Sequence, residues 1–192
     1  SDAAKFDELA NGLRTTAATN LQSTQEAANT KLQAEEAAAA SQARIRQRGS
    51  TQESIDGLVD QVVNKAQEVQ EKTKKIDAVI ANYRAMSEKA GRGRSAKAAN
   101  PGRVDEIDST LLAMDDQASN IHEQVVDFAK TLADVRERIM MKTSANAMEC
   151  EADSFLSCDR QAVAIKSFQS AYAGFQAAYK RESAAYAARN IR

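Results

Sequence analysis

The sequence predicts an all-α fold: an elongated antiparallel bundle of three to four long coiled-coil-like helices. Three observations carry that prediction. Ala, Glu, Lys, Leu and Arg supply 87 of the 192 residues, 38 of them Ala, the composition of long helices. One apolar stripe holds strict 3-4 spacing over five heptads. The single Pro and three of the seven Gly residues cluster in residues 91–103, leaving long runs with few helix breakers. Leu, Ile, Val and Phe together make only 33 residues, too few for a layered sheet protein, and no apolar run approaches the length of a membrane span. Acids and bases nearly cancel, at a net charge of -1, which argues against a disordered chain.

A single helical-bundle domain over residues 1–192 follows, with helices at about 3–47, 51–90, 104–143 and 158–190. The first is helical by Ala propensity but weakly patterned: Phe6, Leu9, Leu13, Leu21, Leu32 and Ile45 are separated by Ala, Thr and Gln. Gly49-Ser50 reads as a tight break, with Ser50 and Glu53 spaced as a capping box; a bend within one very long helix is the alternative. The second helix repeats Ile55, Val62, Val69, Ile76 and Tyr83 in one set, and Val59, Ala66, Thr73 and Ile80 in another. Residues 91–103, from Gly91 through Asn100-Pro101-Gly102, read as a linker. The third helix carries the strict stripe, from Val104, Ile107 and Leu111 through Phe128 to Val135 and Ile139. A loop over 143–157 precedes the fourth stripe of Ile165, Phe168, Tyr172, Phe175 and Tyr179, interrupted at Glu182 and resumed at Tyr186. Those aromatics read as core filling.

A search for catalytic chemistry finds little. His122 is the only histidine, beside the stripe of the third helix, and reads as a flank residue. Gly91-Arg92-Gly93-Arg94-Ser95 lacks the Gly-Lys-[Ser/Thr] ending of a phosphate loop. No catalytic residue, cofactor or metal site is expected. The linker carries Lys89, Arg92, Arg94, Lys97 and Arg103 with no acid among them. That charge suits either a contact with anionic membrane headgroups or a plain soluble loop. No aromatics interleave for base stacking, so specific nucleic-acid binding is not expected. At the opposite end, alternation of helix direction would bring Arg44, Arg46 and Arg48 near Glu149, Glu151 and Asp153, a candidate distal contact surface.

Cys150 and Cys158 are the only cysteines. Without neighbouring His they cannot complete a zinc site, which leaves a local disulfide or two free thiols. No Asn lies in a glycosylation sequon. The chain begins Ser1-Asp2-Ala3 and reads as a trimmed or mature protein.

Long Ala-rich heptad helices with one late cysteine pair resemble the alanine-rich surface coat proteins of African trypanosomes. That group includes the glutamic acid/alanine-rich protein, the brucei alanine-rich protein and the metacyclic invariant surface proteins. The resemblance implies an extracellular, non-enzymatic rod held on the cell surface by a C-terminal glycosylphosphatidylinositol anchor lying outside this chain. Its partners would be neighbouring coat proteins or a host or vector ligand, and its membrane contact would run through the anchor. Related receptors make a surface receptor or adhesin with a small distal site the second expectation. A bacterial secretion-system minor pilin or periplasmic helical module is the third, and a cytosolic coiled-coil scaffold the fourth.

Overall fold

The computed structural model describes residues 1–153 and 156–192, and among them it is all-helical. Helix α1 runs Asp2–Ala99, α2 Val104–Ala152 and α3 Cys158–Ala187, with a single 3-10 turn at Pro101–Arg103. The chain divides into two compact units, Ser1–Ser50 and Thr51–Arg192, and α1 contributes to both.

Several expected boundaries move. Gly49 and Ser50 lie inside α1, so there is no turn at 47–51 and no cap at Ser50. Nothing approaches within 4 Å of a Cβ placed at Gly49. A lone Gly in a helix costs only about 1 kcal/mol relative to Ala, which the surrounding Ala, Gln and Arg residues tolerate. The expected 91–103 linker is also mostly helix. Ala90 is fully buried, and a Cβ at Gly93 would sit 3.4 Å from Leu111 and 3.7 Å from Ile107. Tertiary packing therefore outweighs the intrinsic cost of these glycines, and a side chain at Gly93 would meet α2 at ordinary contact distance. The helix stops where Pro101 requires it, with Asn100 leaving the helical region at φ -129° and ψ 76°. The expected 143–157 loop shrinks in the same way, because α2 continues to Ala152. Residues 154 and 155 of that loop lie outside the described residues.

The second unit is a three-helix bundle. Partners between α1 and α2 run in opposite directions along the chain, from Lys97 with Asp108 to Ser54 with Asn146. Those between α1 and α3 run in the same direction, from Asp56 with Arg160 to Asp77 with Arg181. Thus α2 is antiparallel to both of its neighbours. Its core is built on the heptad column Ile55, Val62, Val69, Ile76, Tyr83 and Ala90, each at most 3% exposed. Facing it are Leu111, Met114, Ala118, Leu132, Val135 and Ile139 from α2, and Ile165, Phe168 and Phe175 from α3. Ile121, Val125 and Phe128, in the middle of the α2 stripe, are only half-buried. Within this unit the Pro101 turn and the chain's last residues share one end, with Arg94 donating to the Asn190 and Ile191 carbonyls.

The first unit, residues 1–50, contains no buried side chain. Its large apolar residues Phe6, Leu9, Leu13, Leu21, Leu32 and Ile45 are all exposed. The helix here rests on propensity, and the Thr15, Thr16 and Thr19 hydroxyls are satisfied locally by carbonyls four residues earlier.

Candidate functional site

The most developed constellation of polar groups sits where all three helices of the bundle meet. Glu182 of α3 occupies a stripe position and is fully buried. Its Oε1 accepts a hydrogen bond from the Tyr83 hydroxyl of α1 at 2.7 Å. The His122 Nδ1 of α2 lies 2.8 Å from Oε1 and 3.1 Å from Oε2. The ring of Tyr186 stacks on the imidazole at 4.0 Å, nearly parallel. Arg189 then lies over Tyr186 at 3.8 Å and pairs with Asp115 at 2.9 Å.

Burial, and then the hydrogen bond and charge of Glu182, push the Tyr83 phenol far above the ordinary tyrosine range. Tyr83 is therefore a permanent donor at physiological pH. Among the described residues no buried side-chain polar atom lacks a partner. Such an arrangement fixes helix register: sliding α3 along its neighbours would leave a buried carboxylate without Tyr83 and His122, at a cost of several kcal/mol. His122, expected to be a flank residue, is thus a structural partner of Glu182. The signal in the sequence was an acid at a stripe position, Glu182, in a protein with one histidine.

The second constellation is the bundle end holding the cysteines. Cys150 and Cys158 form a disulfide that ties the last turn of α2 to the first residue of α3. Beneath it, Asn146 donates to Gln161 at 2.9 Å and accepts from Ser54, with Asn146 and Gln161 both buried. The Ser157 amide donates to Gln52, joining the α2–α3 connection to α1.

The expected distal contact surface is divided: Arg44, Arg46 and Arg48 belong to the first unit, whereas Glu149, Glu151 and Asp153 belong to the bundle. The expected basic set is spread along helix rather than loop. Lys97 pairs with Asp108 at 2.7 Å, Arg94 holds the C-terminal carbonyls, and Arg103 pairs with Glu106 at 3.0 Å. The hydrogen bonds from Arg103, and then its charge, hold the Glu106 carboxyl below its usual range. Three of the five charges are therefore engaged within the bundle, while Lys89 and Arg92 are exposed.

A groove of about 170 Å³ opens between α1 and α2 beside the half-buried part of the stripe. Ile76, Val79, Ile121, Val125 and Phe128 form its walls, Phe175 lines it from α3, and Lys72 and Lys75 contribute its charge. Lys72 lies over the Phe128 ring at 5.6 Å, so the lysine stem covers part of this apolar surface. Among the described residues, no group of His, Cys, Asp and Glu is placed to hold a metal ion, and no helix is long and apolar enough to cross a membrane. No protein-family model, curated protein or solved structure matches the chain.

Proposed function

We propose that this chain is a non-enzymatic interaction protein displayed outside the reducing cytoplasm, as the alanine-rich surface coat proteins it resembles are. Display would be through a lipid anchor attached C-terminal to this chain. The observation that carries the reading is the Cys150–Cys158 disulfide. Disulfides persist in oxidising compartments and are rare in the cytosol. Two features support an interaction role over catalysis. The Nδ1 of the one histidine is bound to the buried Glu182, which also accepts from Tyr83. Residues 1–50, by contrast, present a helix whose apolar side chains are exposed.

Alkylation of natively produced protein without reductant, followed by mass spectrometry, tests the compartment. Neither cysteine should take up label before reduction, and both should after it. Two labelled thiols in the unreduced protein would overturn the extracellular reading. Labelling of intact cells with a membrane-impermeant amine reagent tests display, and an unlabelled protein there would overturn it.

A further inference from the structure

Residues 1–50 form a helix with no buried side chain, carrying Phe6, Leu21 and Leu32 at 70%, 62% and 54% exposure. An isolated helix gains nothing by displaying such groups, and most helical stability in proteins comes from packing an apolar face. What covers this one is written in an eleven-residue period. Over residues 6–43 two columns are apolar throughout: Phe6, Ala17, Ala28 and Ala39, and, four residues on, Ala10, Leu21, Leu32 and Ala43. Residues three turns apart return to nearly the same angle, so the two columns make one continuous seam. Ala10 within it is the only residue of the unit that is not fully exposed.

We propose that this seam pairs with the same seam of a second copy, antiparallel, about a two-fold axis between Thr24 and Gln25. That register sets Phe6 against Ala43, Ala10 against Ala39, Ala17 against Leu32 and Leu21 against Ala28. Within these two columns every large side chain meets an alanine, while Leu9, Leu13 and Ile45 lie beside the seam, so the two helices can approach closely along it. The flanks agree independently. In an antiparallel pair, residues on the same side of the seam face each other, and one flank then pairs Arg14 with Glu36 while the other pairs Asp2 with Arg46. A parallel pair would instead set the two opposite flanks against each other, so that Arg14 would not meet Glu36 nor Asp2 meet Arg46. Size complementarity in the seam and charge complementarity beside it thus select one partner, one direction and one register. The pairing gives the interaction reading a partner but does not depend on compartment, so the alkylation result leaves it untouched.

The test is sedimentation equilibrium of the full chain from low micromolar to several hundred micromolar. The wild type should dimerise. Arg14→Glu with Arg46→Asp makes all four flank pairs acidic, and Asp2→Arg with Glu36→Arg makes them all basic. Each double variant should weaken self-association by roughly a hundredfold at low salt. An equimolar mixture of the two should form a heterodimer, since every flank pair is then opposite in sign. Unchanged circular dichroism and melting of each variant show that its bundle remains folded. Ala10→Cys mixed with Ala39→Cys should cross-link on oxidation, while neither should link to itself. A wild type that stays monomeric throughout, charge variants that associate as tightly as the wild type, or Ala10→Cys linking chiefly to itself would each overturn the proposal.

Discussion

Tyr83→Phe isolates one hydrogen bond in the bundle with little change of shape. The ring is 1% exposed and lies 5.8 Å from Tyr186, so the phenyl group fills the same space and leaves no cavity to account for. What disappears is the 2.7 Å donation to the fully buried Glu182 carboxylate. A hydrogen bond to a charged group contributes about 1.5–3 kcal/mol, and in a chain of this size each kcal/mol moves the melting midpoint by about 2–4 °C. Urea unfolding of both proteins at pH 8 should therefore differ by about 2 kcal/mol, with Tyr83→Phe the weaker. A second arm uses pH. The folded-state pKa of Tyr83 is raised above the unfolded value of about 10. Its contribution is then complete below about pH 10, and it falls as pH rises, because the unfolded chain can release a proton that the folded chain holds. Between about pH 10 and 11 the wild type should lose up to about 1.4 kcal/mol more stability than Tyr83→Phe, narrowing the gap between them. A difference below about 0.5 kcal/mol at pH 8, or parallel pH curves, would show that Tyr83 does not support the buried carboxylate.

Phe175→Ala should cost about 3–5 kcal/mol, because the side chain is 2% exposed at the centre of the core. Phe128→Ala should cost roughly half as much, since its half-buried ring lines an open groove; equal urea midpoints for the two would contradict the burial pattern. Lys130→Ala, exposed on α2, should stay within about 0.5 kcal/mol of the wild type by the same assay. Reducing the Cys150–Cys158 bridge should lower bundle stability by about 2.5 kcal/mol in the chain-entropy model for so short a loop, read as a fall in urea midpoint. In dilute solution, hydrogen exchange should be fast across residues 2–50 and slow at core positions such as Val62 and Phe175.

Heptad spacing is a local property of the chain, and from it the sequence by itself determined the helical class and most of the bundle's core. Ile55, Val62, Val69, Ile76 and Tyr83 are buried as their seven-residue spacing requires, and so are Leu111, Leu132, Val135 and Ile139. The cysteine pairing was legible too, as one of two open readings for a chain with only two cysteines.

Where helices end was much less legible. Gly49, Gly91 and Gly93 carry the intrinsic signal of a break, yet α1 passes through all three. At Gly93 the reason is tertiary: the position packs beside Leu111 and Ile107 of α2, and burial of Ala90 near it holds the backbone helical. Within the expected 91–103 linker only Pro101, which lacks an N–H and constrains the residue before it, stops the helix, nine residues later than the glycines suggested.

The polar cluster lay furthest from view. Glu182 reads only as an interruption of the α3 stripe, and His122 as a flank. Burying a carboxylate is costly unless partners meet it, and whether they do depends on residues 60 and 99 positions away in the chain. No local pattern encodes that meeting. The antiparallel course of α2 against α1 and α3 brings Tyr83, His122 and Glu182 to one level of the bundle, and this tertiary alignment turns an interruption in the stripe into the point that holds its register.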